Sequence, residues 1–180
     1  FVLVLLRIPI IWMNLEPYQK NRVLNFKDPD ADVTMSGLQQ ERGYVAIGSG
    51  KFSGKGYKNG SMSSNNFIPE HHTDYIFSVA AEEFGFIGAT AILVGYLVML
   101  LRMMRISRQT NNRFEFNLVI GFTAMFFVHI FEDVAMTMRL MPVTGIPLPF
   151  FSYGGTFQMI NLIAIGLILS VNMQREALSL

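Results

Sequence analysis

The feature that most constrains this chain is a set of long apolar runs separated by short polar connections. Residues 75–101, YIFSVAAEEFGFIGATAILVGYLVMLL, carry two charges in 27 residues. As a helix rising ~1.5 Å per residue, that stretch reaches ~40 Å, enough to cross a bilayer with some tilt. Residues 114–136 form a second run with polar groups at both ends, and residues 153–173 a third with no charge at all. The opening FVLVLLRIPIIWM, residues 1–13, reads as part of another span, with Arg7 able to snorkel toward an interface. A buried bundle inside a large soluble protein is the alternative, and runs of about 20 residues or more favour the membrane.

Composition agrees. Charged residues make up 15% of the chain, against roughly 25% in soluble domains. The absence of cysteine excludes disulfides, zinc-thiolate sites and thiol catalysis. A net charge of +1 gives no support to a nucleic-acid binder. The chain begins at Phe1, inside an apolar run, which fits a fragment of a longer protein. The expected fold is an all-α polytopic membrane protein with about four transmembrane helices.

Arginine placement sets an orientation. The connection 102–113 holds Arg102, Arg105, Arg108 and Arg113 and no acid, whereas 137–152 holds only Arg139. Basic short loops stay cytoplasmic, so 102–113 is expected inside and 137–152 outside. The tail, 174–180, then falls inside, and residues 14–74 form one large outer loop. That loop carries seven basic and seven acidic residues. It has Pro17, Pro29, Pro69 and many glycines, with no strong helix or strand period. It reads equally as a solvated linker or as an ordered lid at the outer face.

Within it, GSGKFSGKG (48–56) is rich in glycine and lysine, which suits a phosphate-facing turn. It is not a Walker A loop, which would need Gly at 49 and Ser or Thr at 56, where the chain has Ser49 and Gly56. A flexible basic turn reads equally well. The stretch PEHHTDYIF (69–77) gathers Glu70, His71, His72 and Asp74 where the loop enters the membrane. Asp74 can cap the helix that follows, or act as a general base or metal ligand. Glu82 and Glu83 lie inside the span, where acids face a cavity, a bundle interior or the interface. Adjacent residues point about 100° apart on a helix, so the two are not expected to share a partner. His129, Glu132 and Asp133 share one helical face, read as a polar face packed on neighbouring helices rather than a metal site. The last outer connection, MPVTGIPLPFFSYGG (141–155), is broken by Pro142, Pro147, Pro149, Gly145, Gly154 and Gly155, which suits a segment lining a cavity. The acids gather at the outer leaflet, and carboxylates serve a phosphate only through a divalent cation or by acting on a neutral hydroxyl.

AIGSGKFSGKG, FIPEHHTDYIFSVAAEEFGFIG and LMPVTGIPLPFFSYGGT, in this order, resemble the carboxy-terminal half of the RodA/FtsW/SpoVE (SEDS) family of bacterial shape, elongation, division and sporulation proteins, nearer to its RodA branch. The resemblance implies the last spans of a roughly ten-span membrane protein of the bacterial cytoplasmic membrane. It implies a peptidoglycan glycosyltransferase that polymerises lipid II during cell elongation and rod-shape maintenance, with a class B penicillin-binding protein as partner. It makes Asp74, the acid of the family's His-Thr-Asp motif, the essential residue. Lys55, Glu70, His72, Glu83 and Ser152 become candidate substrate contacts, and Asp74 a candidate ligand for Mg or Mn. A fragment of this kind is expected to be inactive alone. A lipid-linked precursor transporter (a flippase) and a non-catalytic scaffold for the penicillin-binding protein are the rival functions. The chain departs from the family's usual pattern at Lys51, Asp133 and Arg139, and Asp133 with Arg139 could form a compensating pair.

Overall fold

The computed structural model describes residues 35–60, 74–110 and 112–178. The expected span at 1–13 and the residues Glu70 and His72 lie outside the described residues. Among the described residues the chain forms helices only: α1 (Met35–Ser49), α2 (Ile76–Arg108), α3 (Arg113–Thr137) and α4 (Gly155–Leu178). Three of them, α2, α3 and the Gly155–Gln174 portion of α4, are long and apolar enough to cross a membrane. The chain is thus an integral membrane protein.

Helix α1 lies inside the segment expected to be an irregular outer loop. It carries no continuous apolar stripe, which is why its period is faint in the sequence. Packing on α2 supplies what periodicity does not. Ala46 is buried, and Gly43 brings the helix so close to Tyr75 that an added Cβ would meet the ring Cδ1 at 2.8 Å. Gln40 donates from Nε2 to the carbonyls of Met136, at 3.1 Å, and Met141, at 2.9 Å, tying α1 to the end of α3. In the described portion of the loop, the ordered alternative therefore holds over the solvated linker.

Helix α2 runs seven residues past 101, to Arg108. The expected 102–113 loop shrinks to the turn after Arg108. The arginines Arg102, Arg105 and Arg108 are good helix formers and occupy its last two turns, where the dipole favours cations. Asn112 caps α3, its side chain accepting from the Phe114 amide at 3.0 Å.

The core is built from Phe77, Tyr96 and Met103 of α2, Val119, Phe126 and Ile130 of α3, Ala164, Ile168 and Val171 of α4, and Leu148 from the connection between α3 and α4. That connection folds back into the helices instead of arching away. Leu148 and Pro149 are fully buried. Tyr96 donates its hydroxyl to the Pro149 carbonyl. Phe150 stacks on Phe126 with centroids 5.7 Å apart, which holds it at a φ of 66°, a left-handed conformation that costs an aromatic residue energy.

Candidate functional site

Helix α2 is not continuous. At Gly85 the backbone takes φ 67° and ψ −164°, and the helical ladder breaks. The break exposes carbonyls on one side and amides on the other, which in a membrane must be satisfied within the protein. The glycine-rich turn after α1 satisfies both. The amides of Lys55 and Gly56 donate to the carbonyls of Glu82 and Glu83, each at 3.0 Å. The amides of Phe86 and Ile87 donate to the carbonyls of Lys51 and Phe52, at 2.9 and 3.3 Å. This approach is open only to glycine: a Cβ on Gly54 would overlap the Glu83 carbonyl, and one on Gly85 would overlap the Gly54 nitrogen.

A salt bridge locks this clasp. Lys55 Nζ lies 2.6 Å from Glu82 Oε1, and the Glu82 side chain is wholly buried. Ser49 Oγ donates to the same carboxylate oxygen at 3.4 Å. The GSGKFSGKG segment is therefore a clasp on a broken helix. Its Lys55 and Gly56 amides are spent on α2, and Lys55 faces an acid of its own chain. Glu83 is nearly buried beside Glu82.

The short half of α2, ahead of Gly85, carries Asp74 at its entrance. The N-cap position falls on Tyr75, with no side-chain capping bond. The Asp74 carboxylate is half-buried and faces the α3–α4 connection. Gly145, at a φ of 74°, approaches so closely that an added Cβ would sit 3.3 Å from Asp74 Oδ2. Asp133, near the end of α3, is 0% exposed. Neither of its carboxylate oxygens has a hydrogen-bond partner among the described residues. Asp74 is its electrostatic neighbour, and Tyr96 senses it from α2. The compensating Asp133/Arg139 pair does not form, because Asp133 is buried without that partner and Arg139 sits in the following turn at a φ of 60°.

Ser152 is buried with its hydroxyl engaged: Oγ accepts from the Leu148 amide at 2.7 Å. Its carbonyl accepts from Gln158 Nε2 at 2.9 Å. Ser152 thus holds the turn that leads into α4. It also lines a groove of about 660 Å³ with Ile76, Phe151, Tyr153, Gly154 and Gln158. Ile76, at the start of α2, follows Asp74 by two residues in the chain. His129 Nδ1 donates to the Met125 carbonyl, 2.9 Å away, and the ring packs edge-on against Phe157 of α4. It belongs to a helix-packing face, as expected. Among the described residues no group of three His, Cys, Asp or Glu could hold a metal ion.

The structure thus brings together Asp74, Asp133, Tyr96 and Gly145 at one corner, and Lys55 with Glu82 at another. Glu82's role as the buried partner of Lys55 is not readable from the sequence. The only hint is an acid deep in an apolar run.

The Cell cycle protein family of FtsW, RodA and SpoVE matches residues 1–177. The chain is 36% identical over 179 residues to the peptidoglycan glycosyltransferase MrdB of Escherichia coli (strain K12), covering 99% of this chain and 48% of the relative. It is 38% identical over 158 residues to the peptidoglycan glycosyltransferase RodA of Treponema pallidum (strain Nichols), covering 88% of this chain and 36% of the relative. A chain in a solved peptidoglycan synthase complex that coordinates polymerization and crosslinking superimposes with a TM-score of 0.79 at 32% identity, over 97% of this chain and 47% of that one. The chain spans about half the length of the curated relatives it matches.

Proposed function

Because this chain belongs to the FtsW/RodA/SpoVE family, we propose that it is the carboxy-terminal part of a peptidoglycan glycosyltransferase that polymerises lipid II during cell elongation and rod-shape maintenance. In this reading residues 14–74 and 137–152 face outward, the arginine-rich turn after α2 and the tail face the cytoplasm, and a class B penicillin-binding protein is the partner. The relatives' names support the activity, and the neighbouring complex supports the partnership.

The observation that carries the reading is the Asp74 corner. Asp74 is an acid not spent on capping, held half-buried against Gly145 and two residues ahead of Ile76, which lines an apolar groove. Glycosyl transfer joins an acceptor sugar hydroxyl oxygen to the anomeric carbon of the donor. The bond from that carbon to the undecaprenyl pyrophosphate breaks, and the pyrophosphate leaves with the electron pair. The hydroxyl proton must go to a base as the oxygen attacks. Asp74 takes that proton, and the half-buried setting keeps bulk water from competing for the carbon. The groove lined by Ile76, Phe151 and Tyr153 offers apolar and aromatic surface on which substrate can lie next to the carboxylate. The clasp at Gly85 fixes the half-helix from which Asp74 is presented.

Asp74 would hold a Mg or Mn ion at this corner, its carboxylate offering hard oxygen ligands. Such an ion would neutralise charge on the pyrophosphate leaving group.

The test uses the full-length protein with its partner and purified lipid II. Wild type makes glycan polymer, and Asp74→Asn makes at least ~100-fold less per folded molecule, the scale of a lost general base. Polymer at the normal rate from Asp74→Asn sinks the catalytic role. Movement of lipid II across vesicles with no polymer under any condition establishes the transporter instead.

A further inference from the structure

We propose that the turn between α2 and α3 is a site for the phosphate of an anionic phospholipid headgroup. Only the leaflet it faces follows from the topology in the reading above; the site does not depend on the glycosyltransferase activity.

The end of α2 and the start of α3 concentrate positive charge. Arg102, Arg105 and Arg108 recur at intervals of three, which puts successive arginines on one side of the helix. Arg113 opens α3. All four are exposed, and none is in an ion pair among the described residues. No acid stands between 102 and 114. The first acid beyond, Glu115, takes a hydrogen bond from Asn112 Nδ2 at 3.2 Å. Like charges one helical turn apart repel, so an anion among these arginines would stabilise the segment.

A hollow of about 310 Å³ opens here, lined by Thr110, Asn112, Arg113, Phe116 and Asn117. Its wall is tied to the end of α2. The Thr110 amide donates to the Ser107 carbonyl at 3.1 Å, and its hydroxyl to the Ile106 carbonyl at 3.0 Å. Ile106 and Ser107 stand between Arg105 and Arg108 in the chain, so the hollow is bonded to the turn that carries those two arginines. The donors on offer are side chains, the Arg113 guanidinium and the Asn117 amide, neither with a hydrogen-bond partner among the described residues. The α3 amide of Phe114 is already taken by the Asn112 side chain. A guanidinium presents paired N–H groups in the geometry that a phosphate accepts.

The surroundings select the source of the phosphate. Both α2 and α3 are long and apolar enough to be membrane spans. Leu101, next to Arg102 in the chain, is 51% exposed, and Phe114, next to Arg113, is 72% exposed. Acyl chains cover apolar side chains at the end of a span, while arginines there reach the headgroup layer. A phospholipid satisfies both features, whereas free phosphate answers only the charge. Basic clusters at the end of a span match anionic lipids for this reason.

The experiment uses the purified full-length protein in an uncharged detergent, with no lipid II present. Dioctanoyl phosphatidylglycerol is titrated, with dioctanoyl phosphatidylcholine and inorganic phosphate as separate arms. Native mass spectrometry counts the bound lipid, and thermal unfolding reads the stabilisation. Wild type binds phosphatidylglycerol saturably, about tenfold or more tighter than phosphatidylcholine, and is stabilised by it. Arg108→Gln with Arg113→Gln, which keeps a good helix former at both positions, weakens that binding about tenfold or more. Arg108→Lys with Arg113→Lys falls between, because it keeps the charge without the planar fork. Equal affinity of wild type for the two lipids overturns the proposal. So does unchanged phosphatidylglycerol affinity in the glutamine variant, which would leave the arginines to an acidic protein partner. Inorganic phosphate that protects wild type as well as phosphatidylglycerol does also overturns it, since the site would then take the free ion. The glycosyltransferase reading fails separately: full polymerisation by Asp74→Asn would leave the lipid site standing.

Discussion

Two polar regions sit in the same apolar helices and treat their charges in opposite ways. At the Gly85 clasp, the backbone groups flanking the break and the buried Glu82 carboxylate all have partners within the chain. At the Asp74 corner, Asp133 is as deeply buried as Glu82 but has no hydrogen-bonding partner among the described residues. The same residue chemistry, a carboxylate out of water, is structural in one place and unfinished in the other. Satisfied polar groups inside a membrane protein hold the fold. An unsatisfied carboxylate there needs a partner, a ligand or a proton to offset its desolvation.

The comparison can be broken from the clasp side first. Gly85→Ala places a Cβ against the Gly54 backbone at a positive φ, so strain and overlap together should cost more than about 3 kcal/mol. The yield of folded full-length protein after detergent extraction reads this as a near-complete loss. Lys55→Ala strands the buried Glu82 charge and should cost about 3 kcal/mol, the low end for a broken buried pair because the lysine is itself 32% exposed. The double change Lys55→Met with Glu82→Gln should recover most of that stability in thermal unfolding. If it does not, the pair is more than a structural lock.

Smaller effects sharpen the contrast. Ser152→Ala leaves the Leu148 amide without its acceptor and should cost about 1–3 kcal/mol of stability, with the groove beside it loosened. Asp133→Asn runs the other way: it replaces a buried carboxyl that has no hydrogen-bonding partner among the described residues, so the variant should unfold about 1 kcal/mol harder than wild type. A destabilised Asp133→Asn would mean that Asp133 has an unrecognised partner, and the contrast between the two regions would collapse.

The spans were legible because a membrane helix is a compositional object. A run of about 20 apolar residues needs no tertiary context to be recognised. Their ends were less so: Arg102, Arg105 and Arg108 read as a loop by charge, yet each is compatible with helix, and α2 carries them. Helix α1 was hidden because its contacts come from glycines and a glutamine, not from a stripe of large apolar side chains. The break at Gly85 was hidden for a related reason. Gly88 and Gly95 lie in the same helix without breaking it. Only the approach of residues 51–56, distant in sequence, decides which glycine yields. Asp74 stood out by its motif. The isolation of Asp133 did not, since a sequence shows an acid but not the absence of a partner.

In the proposed function the Asp74 corner carries the chemistry and the Gly85 clasp supports it. The direct measurement is lipid II polymerisation by the full-length protein with its partner, normalised to folded protein, for Asp74→Asn beside Lys55→Met/Glu82→Gln. The expected result is a loss of at least ~100-fold for the first and retention of most turnover for the second. Full activity in Asp74→Asn, with activity lost in the folded Lys55→Met/Glu82→Gln protein, would contradict it.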